Sequence, residues 1–207
     1  MKNKKIAAAI MAMSLLTVAT VSFASDDGFY LTGGIGQDTN DNTQANVDNV
    51  LVNAGGVGFN SSYTKPTVWK VQAGMQLNKY LALEFGPFGA SNRNYTAQGG
   101  NLNYPITANG TTTGWDTMLI AMAPISSEFS LIGKVGVATI KNSATVSGGG
   151  ISESQSQSKT DATYGVGAQY DFSNKVFGRI SIDNYNIADS NAANRTTVVS
   201  IDVGVHF

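Results

Sequence analysis

The stretch "TTVVSIDVGVHF", residues 196–207, alternates without a break. Val199, Ile201, Val203, Val205 and Phe207 share one face, and Ser200, Asp202, Gly204 and His206 share the other. A period of two over this length describes a β-strand, because a helix would spread the same residues around its whole circumference. One face of this strand is wholly apolar and the other polar. The polarity of the fold therefore depends on which face meets the interior.

The same alternation recurs seven more times. In 28–37, Phe29, Leu31 and Ile35 lie opposite Tyr30 and Thr32; in 67–77, Trp69, Val71, Ala73, Met75 and Leu77 lie opposite Lys70, Gln72, Gly74 and Gln76. Segment 80–88 sets Leu81, Leu83, Phe85 and Pro87 against Ala82, Glu84 and Gly86; segment 129–140 sets Phe129, Leu131, Val135 and Val137 against Lys134 and Gly136. Segment 162–172 sets Tyr164, Val166, Ala168, Tyr170 and Phe172 against Gly165, Gly167, Gln169 and Asp171. In 176–185, Val176, Ile180 and Ile182 oppose Arg179, Ser181 and Asp183. Segment 115–125, "WDTMLIAMAPI", is apolar on both faces and leaves its phase open.

The connections alternate in length. Turns at 78–79, 126–128 and 173–175 are short, whereas 38–66, 89–114, 141–161 and 186–195 are long and rich in Asn, Gly, Ser and Thr. These four read as polar loops. Unstructured connections of this length are uncommon in compact soluble domains, but short turns at one end and long connections at the other are the rule in outer-membrane barrels.

Composition supports the same reading. Charged residues make up 13% of the chain, about half the usual share of a soluble domain. Residues 1–24 carry Lys2, Lys4 and Lys5, an apolar run from Ile6, and Ser22 and Ala24 at small-residue positions, the pattern of a cleaved secretory signal. The expected mature domain, 25–207, holds 10 basic and 14 acidic residues, a balance that argues against a nucleic-acid partner. There is no Cys, so neither disulfides nor thiolate metal sites are available. Eight strands of about ten residues suit a tilted crossing of the bilayer. The hydrocarbon offers no partners to backbone groups, so such a sheet must close. A soluble barrel of lipocalin type would place the apolar faces inward and show charge outside; here the more polar face carries about one charge per strand, too few for a water-exposed exterior. The expected fold is an all-β, eight-stranded antiparallel up-and-down transmembrane barrel in the bacterial outer membrane, its four long connections extracellular.

The segments "FYLTGGIG", "YLALEFG", "FSLIGKVGVA", "YGVGAQYDFSNKVFGRISI" and "VVSIDVGVHF" resemble the small outer-membrane β-barrel family that includes the OmpA transmembrane domain, OmpX and opacity-type surface antigens. They cover most of the chain outside the long connections. The resemblance implies that the last strand, ending on Phe207, is the signal read by the barrel-assembly machinery. It does not extend to the periplasmic peptidoglycan-binding domain of full-length OmpA, which is not expected here.

Candidate chemistry is sparse. The single His206 stands next to the last residue, at the short-turn rim of the expected barrel, with no Ser singled out beside it. "DTNDNT" (38–43) has Asp38, Asn40 and Asn42 but lacks the Gly and final Glu of a calcium loop. "GGVGFN" and "GVGAQY" do not complete a dinucleotide fingerprint. No catalytic, metal or cofactor site is expected. The inward charges are more informative. Counted from the short turns at about 3.3 Å per residue and a tilt of about 40°, Glu84, Lys134, Arg179 and Asp202 fall near mid-membrane, with Lys70, Asp116 and Asp183 in a higher layer. Unpaired charge would be costly there, so the seven are expected to pair. In OmpA an interior acid–base network acts as a gate, and the resemblance extends that role to Glu84, Lys134 and Arg179; a permanent plug of paired charges is the alternative.

Three functions are compatible with this reading. The first is a non-enzymatic, monomeric surface barrel contacting lipid, lipopolysaccharide and host or surface ligands. The others are a small gated pore and a lipid A- or phospholipid-modifying enzyme. Deletion of Phe207 is expected to slow or abolish insertion, read as loss of the heat-modifiable folded form with precursor accumulating in the periplasm.

Overall fold

A computed structural model describes residues 28–39, 42–186 and 195–207. The expected signal segment 1–24 lies outside them, as does nearly all of the expected connection 186–195. In chain order the elements are β1 (Phe29–Asp38), α1 (Asn42–Asn53), β2 (Asn60–Thr64), β3 (Thr67–Asn78), β4 (Leu81–Gln98), β5 (Ile106–Pro124), β6 (Phe129–Gly148), β7 (Ile151–Asp171), β8 (Val176–Asn186) and β9 (Arg195–His206).

Eight strands form a ring of antiparallel neighbours, β1–β3–β4–β5–β6–β7–β8–β9, and the ring closes where β9 pairs with β1. At that seam Leu31 faces Val205 and Ile35 faces Ile201. The Phe207 N–H donates to the Phe29 carbonyl at 3.0 Å, which carries the pairing to the last residue. The short strand β2 stands outside the ring and pairs only with the far end of β4, Asn60 opposite Gln98. It continues the line of β3 after an interruption at Lys65 and the buried Pro66. Proline has no N–H for the ladder, which accounts for the break.

Polarity is inverted relative to a soluble barrel. Ile35 and Val135 are 67% and 56% exposed, whereas Lys70, Glu84 and Asp183 are 5%, 3% and 1% exposed. The outward face is therefore the apolar one, and the charges are inside. Trp115 and Phe85 stack on that outer face with ring centroids 5.3 Å apart. Tyr80, Tyr170, Phe172 and Phe207 stand exposed at the short-turn end, as an interfacial aromatic girdle does. The open phase of segment 115–125 resolves with Trp115 and Leu119 outward and Asp116, Met118, Ile120 and Met122 inward.

The interior is layered. On β4 the inward order from the short turn is Ala82, Glu84, Gly86, Phe88; on β6 it is Ile132, Lys134, Gly136, Ala138. Tyr30, Ala82, Met118, Ile120, Met122, Ile132 and Phe177 form an apolar cluster on the short-turn side of the charges. Val68, Phe88, Ala138, Ile140, Tyr185 and Val198 form another on the opposite side. The inward face expected to be polar is so only in its middle, where two apolar layers enclose a polar one.

The long connections are the main correction. Segment 141–161 is not a loop, and segment 89–114 is one only at 99–105, because β4–β5 and β6–β7 run on as paired strands to Gln98, Ile106, Gly148 and Ile151. The β6–β7 hairpin turns on Gly149 and Gly150 alone, both with positive φ, 60° and 81°. Two consecutive positive φ values are what a two-residue type I′ hairpin turn requires. Segment 38–66 holds α1 and β2 rather than a loop. Thr favours strands as strongly as it marks polar surface, so composition alone hid these extensions.

Aromatic rings lie flat against inward glycines near the short-turn end: Tyr30 covers Gly74 and Phe177 covers Gly204, each where a Cβ would meet the ring. Gly204→Val is expected to destabilise the folded barrel by about 1–3 kcal/mol through overpacking, read as a lower urea midpoint of the heat-modifiable form. An unchanged midpoint would show that Phe177 moves aside freely.

Candidate functional site

The inward positions of β3, β4, β5, β6, β8 and β9 bring all seven expected charged residues into one buried band. Glu84 with Arg179 and Lys70 with Asp183 pair within the expected layers, whereas Lys134 and Asp202 take partners from the other layer. Arg179 Nη1 meets Glu84 Oε1 at 2.6 Å, and Tyr30 donates its hydroxyl to the same oxygen at 2.8 Å. Arg179 Nη2 donates to Gln169 Oε1 at 2.9 Å. This pair forms the half of the band nearer the short turns.

The other half centres on Asp183. Lys70 Nζ donates to its Oδ2 at 2.7 Å, and Lys134 Nζ lies 3.4 Å from its Oδ1. Lys70 also reaches Asp202 Oδ1 at 3.9 Å. Serine hydroxyls join these groups: Lys134 donates to Ser181 at 3.0 Å, Ser181 donates to Asp183 at 3.1 Å, and Ser200 donates to Asp202 at 3.3 Å. Thus Lys134 belongs with Asp183, and Asp202 with Lys70, rather than with Glu84 and Arg179. The stagger of strands around a tilted barrel sets these heights, so equal distance from a turn is not equal depth.

Three cations face four carboxyls in this band. Asp116 is the carboxyl with no ion pair within 4 Å among the described residues; it accepts the Tyr185 hydroxyl at 3.2 Å. Tyr30, Gln169, Ser181, Ser200 and Tyr185 were not singled out in the sequence as network members. Their inward parity on strands already carrying a charge was the available signal. Because apolar layers close the band on both sides, each charge relies on these partners rather than on bulk water.

A second polar cluster stands at the long-hairpin end. Asp38 pairs with Arg93 at 3.3 Å. Asp48 of α1 accepts hydrogen bonds from the hydroxyls of Ser61, at 2.9 Å, and Tyr95. Gln44 donates to Ser61 at 2.9 Å. These contacts pin α1 onto β2 and β4. Burial, with the Asp48 hydrogen bond adding to it, pushes the Tyr95 phenol up to about 12. At the opposite end the His206 ring lies against Tyr30 and Phe177, with centroids 5.2 and 5.1 Å away.

A closed barrel with apolar outside and paired charges inside is the geometry of a membrane-spanning β protein, and the sequence agrees. The profile of the outer membrane protein beta-barrel domain matches residues 6–207. The chain belongs to this family. It is a protein of the bacterial outer membrane, and its ring strands are transmembrane strands. The attachment invasion locus protein Ail of Yersinia pestis has a similar fold, at 16% identity over 87% of this chain and 99% of Ail, with a TM-score of 0.50. A structure of Ail in complex with the heparin analogue sucrose octasulfate gives 14% identity, the same coverage and a TM-score of 0.52. The N-terminal barrel domain of Pseudomonas aeruginosa OprF gives 14% identity over 87% of this chain and 98% of that domain, with a TM-score of 0.51. The sequence matches no curated protein. At these identities the likeness concerns the fold alone.

The pairing predicts unequal costs. Arg179→Met removes the ion pair of Glu84 and is expected to cost about 3–5 kcal/mol. Lys134→Met leaves Asp183 with Lys70 and should cost clearly less, while Asp116→Asn removes the surplus carboxyl and should cost least. Urea unfolding of the three variants in one detergent checks the order; equal losses would mean that the band responds as a diffuse charge cloud.

Proposed function

We propose that this protein is a closed, non-enzymatic surface barrel whose long-hairpin end faces the cell exterior and makes its contacts there, with outer-membrane integrity as its baseline role. The observation that carries this reading is the asymmetry of the two ends. Three short turns close one end, whereas at the other β4–β7 continue as paired ribbons past the last outward apolar residues of the ring. Short turns on the periplasmic side and long extensions outside are usual for this architecture.

The layered lumen favours a plug over a pore. Eight strands leave an interior just wide enough for side chains. Here apolar layers on both sides of the ion pairs fill it. Opening a path would require breaking Glu84–Arg179 or Lys70–Asp183 and displacing an apolar layer as well. His206, the single histidine, stands at the short-turn rim against Tyr30 and Phe177, which suits a rim residue. Phe207, exposed beside Phe29 on the lipid face, suits recognition by the assembly machinery during insertion. In this reading residues 25–207 form one monomeric barrel domain after a cleaved leader.

Protease added to intact cells is expected to cut near Gly99–Gly100 or Gly149–Gly150 and to spare 79–80, 125–128 and 172–175. The purified barrel is expected to stay silent in planar bilayers. Cleavage at the short turns would invert the orientation. Discrete openings whose frequency changes in Lys134→Met would replace the plug by a gate.

A further inference from the structure

Beyond the lipid band, the outward face of the ribbons has a composition that solubility does not explain. Strand β7 shows this most directly. From residue 152 to 161 both of its faces are exposed or half-exposed, yet its charges, Glu153, Lys159 and Asp161, all lie on the inward side. The outward side carries only Ser152, Ser154, Ser156, Ser158 and Thr160. A strand selected only for water would place charge on either face.

The pattern crosses the sheet in rungs. Trp115, Thr139 and Thr160 form the lowest, directly above the apolar band. Next comes Thr113, Lys141 and Ser158, followed by Thr111, Ser143 and Ser156. The two outermost rungs are Asn109, Thr145, Ser154 and then Thr107, Ser147, Ser152. Register extends both of these onto β4 and β2, through Asn94 with Thr64 and through Thr96 with Ser62. Facing hydroxyls are bonded across strands, Thr139 to Thr160 at 2.8 Å, Thr145 to Ser154 at 2.9 Å and Ser147 to Ser152 at 2.9 Å.

Each such pair uses one O–H and leaves another O–H, together with acceptor lone pairs, facing outward. Strands about 4.8 Å apart, with rungs about 6.8 Å apart along them, make a lattice of donors and acceptors whose one charge is Lys141. This lattice is continuous with the lipid-facing surface, so its neighbours are the molecules of the same leaflet beyond their acyl chains. Lys141, the cation among these rungs, stands one rung above the exposed Trp115, and an outward Trp at the edge of an apolar band marks the headgroup level. Neutral hydroxyls above it exchange water for sugar hydroxyls without the desolvation penalty a charge would carry.

Resting on the outward orientation proposed above, we infer that this face binds the saccharide of the surrounding outer-leaflet glycolipid, with Lys141 at its phosphate and the Ser/Thr/Asn rungs along its sugars. The lattice holds the glycolipid laterally around the barrel and leaves the inward face of the ribbons free.

The chain has no Cys, so single thiols report cleanly. Asn109→Cys places one on the lattice and Gln155→Cys places one on the opposite face at similar height. Each full-length variant, verified as folded by heat modifiability, is reconstituted in lipopolysaccharide with complete core saccharide, in lipid A lacking it, or in phospholipid. Modification by a membrane-impermeant maleimide is then timed on the accessible fraction. The lattice thiol is expected to react several-fold more slowly in complete lipopolysaccharide only, with Gln155→Cys unchanged throughout. Adding Thr145→Asp and Ser154→Asp should restore the faster rate. Equal rates for Asn109→Cys in complete lipopolysaccharide and lipid A would overturn the inference, as would equal slowing at both positions, which is crowding. In intact cells, Gln155→Cys that fails to react would refute the outward orientation itself; a reactive Gln155→Cys beside an unshielded Asn109→Cys would refute only the saccharide contact.

Discussion

A bilayer offers no hydrogen-bond partner to a strand edge, so the seam between β1 and β9 is the contact on which everything else depends. Its register, Leu31 opposite Val205 and Ile35 opposite Ile201, fixes the phase of the first and last strands together. In a pleated ring that phase passes from each strand to the next. A slip by one residue would turn Asp202 outward into lipid and Ile201 into the lumen. Closure and inverted polarity are therefore one constraint seen from two sides, and both reach the final Phe207.

Given closure, the lumen must be filled. The band of ion pairs does so at a desolvation cost that apolar packing alone would avoid, and buried pairs are weak evidence for stability as such. What they supply here is mutual dependence. Glu84 is held by Arg179 and Tyr30, and Arg179 in turn by Gln169, so four strands, β1, β4, β7 and β8, meet at one carboxylate and one guanidinium. Asp183 likewise ties β8 to β3 and β6. Such contacts across the lumen fix the stagger of strands that backbone pairing defines only between neighbours.

The legible part of the sequence was the part the membrane constrains. Val135 or Ile201 in an alternating segment has one admissible side, so face assignment followed directly. Segment 115–125 was ambiguous because Met118 and Ile120 belong to an inner apolar layer while Leu119 faces lipid; apolar on both sides is the correct description of that strand. Partner identities were not legible. Arg179 lies directly opposite Asp202 in register yet bonds Glu84 across the lumen, and only the stagger of the closed ring decides this. The ribbons were missed for a different reason. Ser and Thr serve loops and strands alike, and "SGGGIS" reads as a flexible linker until Gly149 and Gly150 are seen as a two-residue turn between Gly148 and Ile151.

Paired strands in place of loops change what the long-hairpin end can do. A disordered loop must be ordered when it binds, at a cost of about 1–2 kcal/mol of backbone entropy per residue fixed. The β4–β7 ribbons have already met that cost, because they are the same strands that cross the membrane: β6 and β7 pair without interruption from Phe129 with Tyr170 to Gly148 with Ile151, and β4 and β5 pair as far as Ala97 with Ile106 across one register shift between Ala90 and Arg93. Asp48 extends the arrangement to α1 by holding Ser61 on β2 and Tyr95 on β4. The ion pairs and the two apolar layers occupy the middle of the barrel, and the lipid face is uniform by necessity. Preorganised hairpins, with hydroxyl rungs and Lys141 continuing the outward face and Glu153, Lys159 and Asp161 on the opposite side of β7, are where this sequence departs from what the membrane alone dictates.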